Sequence, residues 1–352
     1  DNGGFISGPG TLTSTGSFEV KDGTVRAVLD GAGIALNKTT AGVVRLDSRN
    51  TYTGLTTVSA GKLQYRTSDA IASGAVTVNG ATAELNLDGF TDTVGTVTLD
   101  GGGRISGQGL LASTDSFEMK SGTVDVILDG KGIALNKTTA GTVTLNNKNT
   151  YTGATTVSAG KLQYGTSDAI ASGTVNVNGP SAELALGGYS DTVGTVTLDG
   201  GGLISGTGKL TSTGSFDLKD GTVNAVLGGS GIALNKTTSG TVTLNNQNSY
   251  TGNTNVMAGK LILAGTTAPN LASSTAVTVA SGANLVVNGD NTVASLTSNG
   301  TVSGNKTLTA PIYNLNNGTT ISAKLGNVST TGGSTVNTNG SVTFSNTVAA
   351  NT

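Results

Sequence analysis

Three acid–base pairs recur along the chain: Glu19 with Lys21, Glu118 with Lys120, and Asp217 with Lys219. Residues two apart on a strand share a face, so each acid would sit beside its base. Two carboxylates about 5–9 Å apart would suit glycoside hydrolysis. An acid with a base as its neighbour instead predicts an exposed ion pair, worth under about 1 kcal/mol. Asp92 and Asp191 recur in turn contexts, as do Asp100 and Asp199. Tyr52, Tyr151 and Tyr250 recur in an Asn-Thr/Ser-Tyr-Thr-Gly segment and are the candidate binding residues, each offering a ring for sugar stacking. The competing reading lays each ring over a corner of the fold, its hydroxyl hydrogen-bonded.

The chemistry excluded is as informative. The 352 residues contain no His and no Cys. A Ser-His-Asp triad, a Cys-His pair and a usual zinc site each need one of them. No catalytic, cofactor-binding or metal-ligating residue is assigned, and no cofactor is expected. The Asp-Gly turns bring too few oxygens together for a calcium cage, and Asp199-Gly200-Gly201-Gly202 reads as a glycine-rich corner. Asn37, Asn136 and Asn235 open Asn-Lys-Thr sequons, with a stacked asparagine corner as the alternative. A net charge of −2 lacks the basic footprint of a nucleic-acid binder and of a polybasic membrane anchor. No apolar run reaches the roughly 18 residues of a membrane span. Complete avoidance of cysteine suits export, and an export signal would lie outside these residues.

The elements that must position these residues follow from repetition and composition. Gly accounts for 55 residues, and only 11% of residues are charged, against roughly 25% in an ordinary domain. Tyr52, Tyr151 and Tyr250 stand 99 residues apart, as do Phe18, Phe117 and Phe216. After Leu263 the register slips: Val175 recurs at Val277, three residues late. The 89 residues from 264 onward hold only Asp290, Lys306 and Lys324 as charged groups. Within each period, stretches such as Thr195-Val196-Thr197-Leu198 alternate hydroxyl and aliphatic side chains, which predicts half-buried strands. Asp129-Gly130, Asn79-Gly80 and similar pairs supply tight corners. No stretch carries a helical period.

A strict repeat of short strands and frequent corners favours a solenoid over a sandwich. Ninety-nine residues divide into about five coils of roughly 20, joined by a parallel ladder with about 4.8 Å between coils. The fold expected is all-β: a right-handed parallel β-helix of three 99-residue repeats plus an irregular β-solenoid tail. Some 17 coils would span roughly 80 Å. Two domains are expected, the repeat solenoid at residues 1–263 and the divergent low-charge tail at 264–352. Thr-x-Thr pairs such as Thr96/Thr98 recur about twice per long repeat, too sparsely for a continuous ice-binding rank.

Residues 141–162, GTVTLNNKNTYTGATTVSAGKL, closely resemble the autotransporter-associated β-strand repeat, as do residues 42–63 and 240–261. That repeat occurs in secreted passenger domains of Gram-negative autotransporters and large adhesins. The resemblance implies a passenger segment at the outer-membrane surface or outside the cell, without membrane insertion of its own. The family's C-terminal membrane barrel is absent from these residues. The function expected is a non-enzymatic extracellular rod that is structural or adhesive. Its partners would be host cells, surfaces, a glycan or further copies of itself, joined end to end or laterally. The low charge of residues 264–352 makes that end the candidate for contacts. A self-stacking subunit of an extracellular filament is the alternative. A polysaccharide-processing β-helix enzyme is a lesser one, because acids duplicated every 99 residues do not form the single groove such enzymes use.

Overall fold

A computed structural model describes residues 3–265, 269–326 and 334–345. The described residues contain strands, turns and bends but no helix. The chain divides into two compact units, residues 1–173 and 174–352.

The first unit is a parallel β-solenoid. One ladder passes from Thr56 to Val76, Val97, Phe117, Leu135 and Thr155. The steps are 20, 21, 20, 18 and 20 residues long, as expected for coils of about 20. A second ladder joins Leu63, Leu85, Ile105, Val124, Leu145 and Tyr164. Alternation explains both. In Val97–Asp100, Val97 and Leu99 are buried while Thr98 lies half-exposed between them. Each coil thus contributes inward aliphatics that stack on those of the next, and the core is a narrow column.

The third side is not uniform, which the repeat does not reveal. Thr91–Val94, Leu110–Ser113 and Ile127–Asp129 pair there as short strands. In the next coil, where Asn149 and Tyr151 sit, that side carries no strand.

The second unit repeats the plan. Its first ladder joins Val175, Val196, Phe216, Leu234 and Thr254. It continues through Val277, Leu296, Tyr313 and Val336. The step from Thr254 to Val277 is 23 residues, against 20 from Thr56 to Val76. The three extra residues leave the strand register intact, so the late valine still enters the ladder. The solenoid continues through the tail in strands such as Ala276–Val279 and Ser295–Ser298.

Corners depend on glycine where coils approach closely. Gly122 has φ of 138°, and a Cβ there would lie 2.2 Å from the Gly103 carbonyl oxygen on the coil before. Only glycine combines that backbone with that approach.

Candidate functional site

The tyrosines lie inside the solenoid. Tyr52, Tyr151 and Tyr250 are each 0% exposed. Their hydroxyls share hydrogen bonds with Thr56, Thr155 and Thr254 at 2.7, 2.8 and 2.8 Å. Phe18, Phe117 and Phe216 pack against them, with ring centroids 6.1, 5.8 and 5.9 Å apart in tilted geometry. Such contacts add stability beyond area burial. Burial holds the Tyr52 and Tyr250 hydroxyls protonated well above the usual phenol range, despite the pull of the threonines. No ring face is open to a ligand.

Two residues before each tyrosine sits an asparagine that the sequence did not single out. Asn149 accepts from the Leu128 amide at 2.8 Å and donates to the Ala169 carbonyl at 2.6 Å. Asn50 makes the same pair of bonds to Leu29 and Ala70, and Asn248 to Leu227 and Asn270. These side chains take over backbone pairing on the side that lacks a strand. A buried amide with both partners met fixes the corner; one left unmet would cost about 1–3 kcal/mol.

Lys38, Lys137 and Lys236 are fully buried, although a lysine on a strand is expected outside. Lys137 donates to the carbonyls of Thr139 and Ala159, the latter at 3.0 Å. Lys38 does the same with Thr40 and Ala60, and Lys236 with Thr238 and Ala258. Burial lowers the Lys137 amine to about 8, partly offset by the charge of Asp100. The alternating burial of Ala134–Lys137 was legible, since Leu135 and Lys137 must face the same way.

Asp92 also departs from expectation. It lies not in a turn but in the strand Thr91–Val94, facing inward beside Val94, and is 1% exposed. Its carboxylate accepts from the Ile71 amide at 3.0 Å and the Thr93 amide at 2.8 Å. Burial pushes it up to about 6, against the pull of the Tyr65 hydroxyl and of those two amides. Asn291 plays this part in the tail, accepting from Leu271 at 3.0 Å and donating to Gly289 at 2.7 Å. Asp100 and Asp199 do cap turns, accepting from Gly101 and Gly200 at 2.7 and 2.8 Å.

The strand acids find asparagine partners across coils, and Glu19 and Asp217 also accept from a serine two positions back, Ser17 at 2.7 Å and Ser215 at 3.0 Å. Glu19 accepts from Asn37 at 2.6 Å, Glu118 from Asn136 at 2.7 Å and Asp217 from Asn235 at 3.0 Å. A ladder neighbour about 4.8 Å away is closer than a residue two positions along, at about 6.6 Å. The three sequon asparagines therefore sit mid-strand with their amides engaged, not at corners. Ion pairs also run between coils, as in Arg66–Asp88 at 3.1 Å and Lys148–Asp168 at 2.8 Å. No cluster of three or more potential metal-ligating acids occurs among the described residues.

Between these ion pairs the outer surface carries half-exposed threonines such as Thr98 and Thr197. One depression of about 620 Å³ interrupts it in the second unit. Asp217, Lys219, Asn235, Thr237, Asn255, Met257 and Thr278 line it.

Residues 36–64, 135–163 and 234–266 match the passenger-associated-transport-repeat family. Adhesin BmaC, an autotransporter of Brucella suis biovar 1 (strain 1330), is 32% identical over 278 residues, which is 73% of this chain. The chain is an adhesin-like autotransporter passenger sequence. It spans 8% of that relative's length. No solved structure matches the chain. Each passenger repeat contains the buried lysine, the bridging asparagine, the tyrosine and its threonine, from Lys38 to Thr56 in the first. What recurs in the passenger repeats is therefore an internal bracing unit.

Proposed function

We propose that the chain is a non-enzymatic adhesive segment of a Gram-negative autotransporter, displayed at the outer-membrane surface or released outside the cell. The likeness to an autotransporter adhesin over 73% of the chain carries this reading. The geometry supports it. Asp92 and Lys137 face inward, and Asp92 is tied to backbone amides. Glu118 and Asp217 are tied to asparagines. The mechanism is mechanical: parallel ladders hold each coil in register, and outward side chains present a fixed surface to host cells or other matter. Beads coated with the purified chain should adhere to host cells more than uncoated beads do. Adhesion no better than that of beads coated with an unrelated β-solenoid would refute the proposal.

A further inference from the structure

The depression on the second unit is lined by residues at which the third repeat departs from the other two. Where the first two repeats carry Glu19 and Glu118, the third carries the shorter Asp217. Thr57 and Thr156 are replaced by Asn255, and Ser59 and Ser158 by Met257. The shorter acid opens space, the amide adds a donor and an acceptor, and the methionine raises a flexible apolar wall, 52% exposed.

The unused hydrogen-bonding capacity is mixed. Asp217 Oδ1 is taken by Ser215 and Asn235, each at 3.0 Å, while Oδ2 has no partner among the described residues. The Asn255 amide donates to Asn235 Oδ1 at 2.9 Å, leaving its own Oδ1 open. The hydroxyls of Thr237 and Thr278 can each donate and accept. Lys219 lies 3.9 Å from Asp199 and adds a cation at the rim. One acid and one base give the lining no net charge.

We propose that this depression binds a neutral glycan. A sugar ring presents hydroxyls that both donate and accept, together with an apolar face of C–H groups. The two open acceptors, the two threonine hydroxyls and the Met257 thioether match those demands. A charged ligand would find no matching excess charge. The proposal rests on the adhesive reading and names the partner class of that surface.

The test uses the full chain on a panel of neutral and acidic glycans, read by direct binding. Neutral glycans should bind, and bound glycan should slow peroxide oxidation of Met257. The variants Asn255→Thr and Met257→Ser restore residues that the same coil position already holds in the other repeats, so the fold is expected to persist. Together they should weaken binding at least tenfold with no change in the thermal midpoint. Conversely, Glu118→Asp, Thr156→Asn and Ser158→Met should create a second site and double the stoichiometry. Binding of no neutral glycan, equal binding by the restored variant, or occupation of the depression by a peptide or a second copy of the chain would overturn the proposal. A parent chain that adheres to cells but binds no neutral glycan would sink this site and leave the adhesive reading intact. Loss of both in the parent chain would sink the adhesive reading itself.

Discussion

Asp92 and Lys137 show how one inward-facing charge makes stability depend on pH. The folded-state value of Asp92 lies near 6, above the ordinary 3.8, so the native state holds its proton more tightly than the unfolded chain does. Stability therefore falls as pH rises from about 4 to about 6, then levels off. Asn291 fills the matching position in the tail with an uncharged amide, accepting from Leu271 and donating to Gly289. Asp92→Asn should raise the denaturation midpoint at pH 7, by an amount on the order of 2 kcal/mol, and bring no gain at pH 4. A parallel midpoint shift at both values would reject the titration argument. Lys137 has the opposite sign: a base lowered to about 8 binds fewer protons when folded, so stability rises with pH from about 8 to about 10. Lys137→Met should flatten that rise, measured as the slope of the midpoint against pH. Tyr151→Phe tests the neighbouring contact. It strands the buried Thr155 hydroxyl and should cost about 1–2 kcal/mol in chemical denaturation. A neutral substitution would mean that Thr155 finds another partner.

At the scale of the coil, most of the fold was legible and one side of it was not. Alternation in Val97-Thr98-Leu99 and the aspartate–glycine corners predict strand and turn directly, because backbone ladders impose a period of two. The late valine was also legible, and the 23-residue step shows why a ladder tolerates it: the extra length is taken up outside the paired strands. The strandless side at Asn149 was hidden. Periodicity reports backbone pairing, and there a side-chain amide does the pairing instead. The recurring asparagine two residues before the tyrosine was the available signal. Asp92 was misplaced for a related reason. It was read in a turn context, yet alternation in Thr91-Asp92-Thr93-Val94 already put Asp92 on the valine's side. Close approach at corners gives the clearest prediction for an element. Gly122→Ala would drive a methyl group to 2.2 Å from the Gly103 oxygen at a φ that disfavours alanine. The corner must open, breaking pairing between Gly103–Ser106 and Gly122–Val124. A loss above about 3 kcal/mol is expected, with Gly132→Ala as the control. A Cβ at Gly132 meets nothing within 4 Å, so any loss there isolates the cost of positive φ alone.

At the scale of the whole molecule, a solenoid differs from a globular domain because each coil touches only its neighbours. Stability then resembles a sum of coil terms and interface terms, and damage stays local unless it spreads through the ladder. Leu135 is fully buried and pairs with Phe117 on one side and Thr155 on the other. Leu135→Ala would leave a cavity costing about 2–5 kcal/mol. Hydrogen exchange should accelerate in Ser116–Met119 and Thr155–Val157, which flank it in the ladder. Strands in the other unit, such as Ala276–Val279 and Ser295–Ser298, should keep their protection. A globular core would respond otherwise, because a single cavity would lower the global free energy and speed exchange everywhere protection depends on complete unfolding. Uniform acceleration across residues 276–298 would therefore refute coil-by-coil cohesion. A graded loss confined to the coils beside Leu135 would establish it. The same locality explains how the third repeat can carry Asp217, Asn255 and Met257 where its predecessors carry Glu, Thr and Ser. Outward positions change one coil at a time, while the inward tyrosine, lysine and asparagine keep each passenger repeat braced.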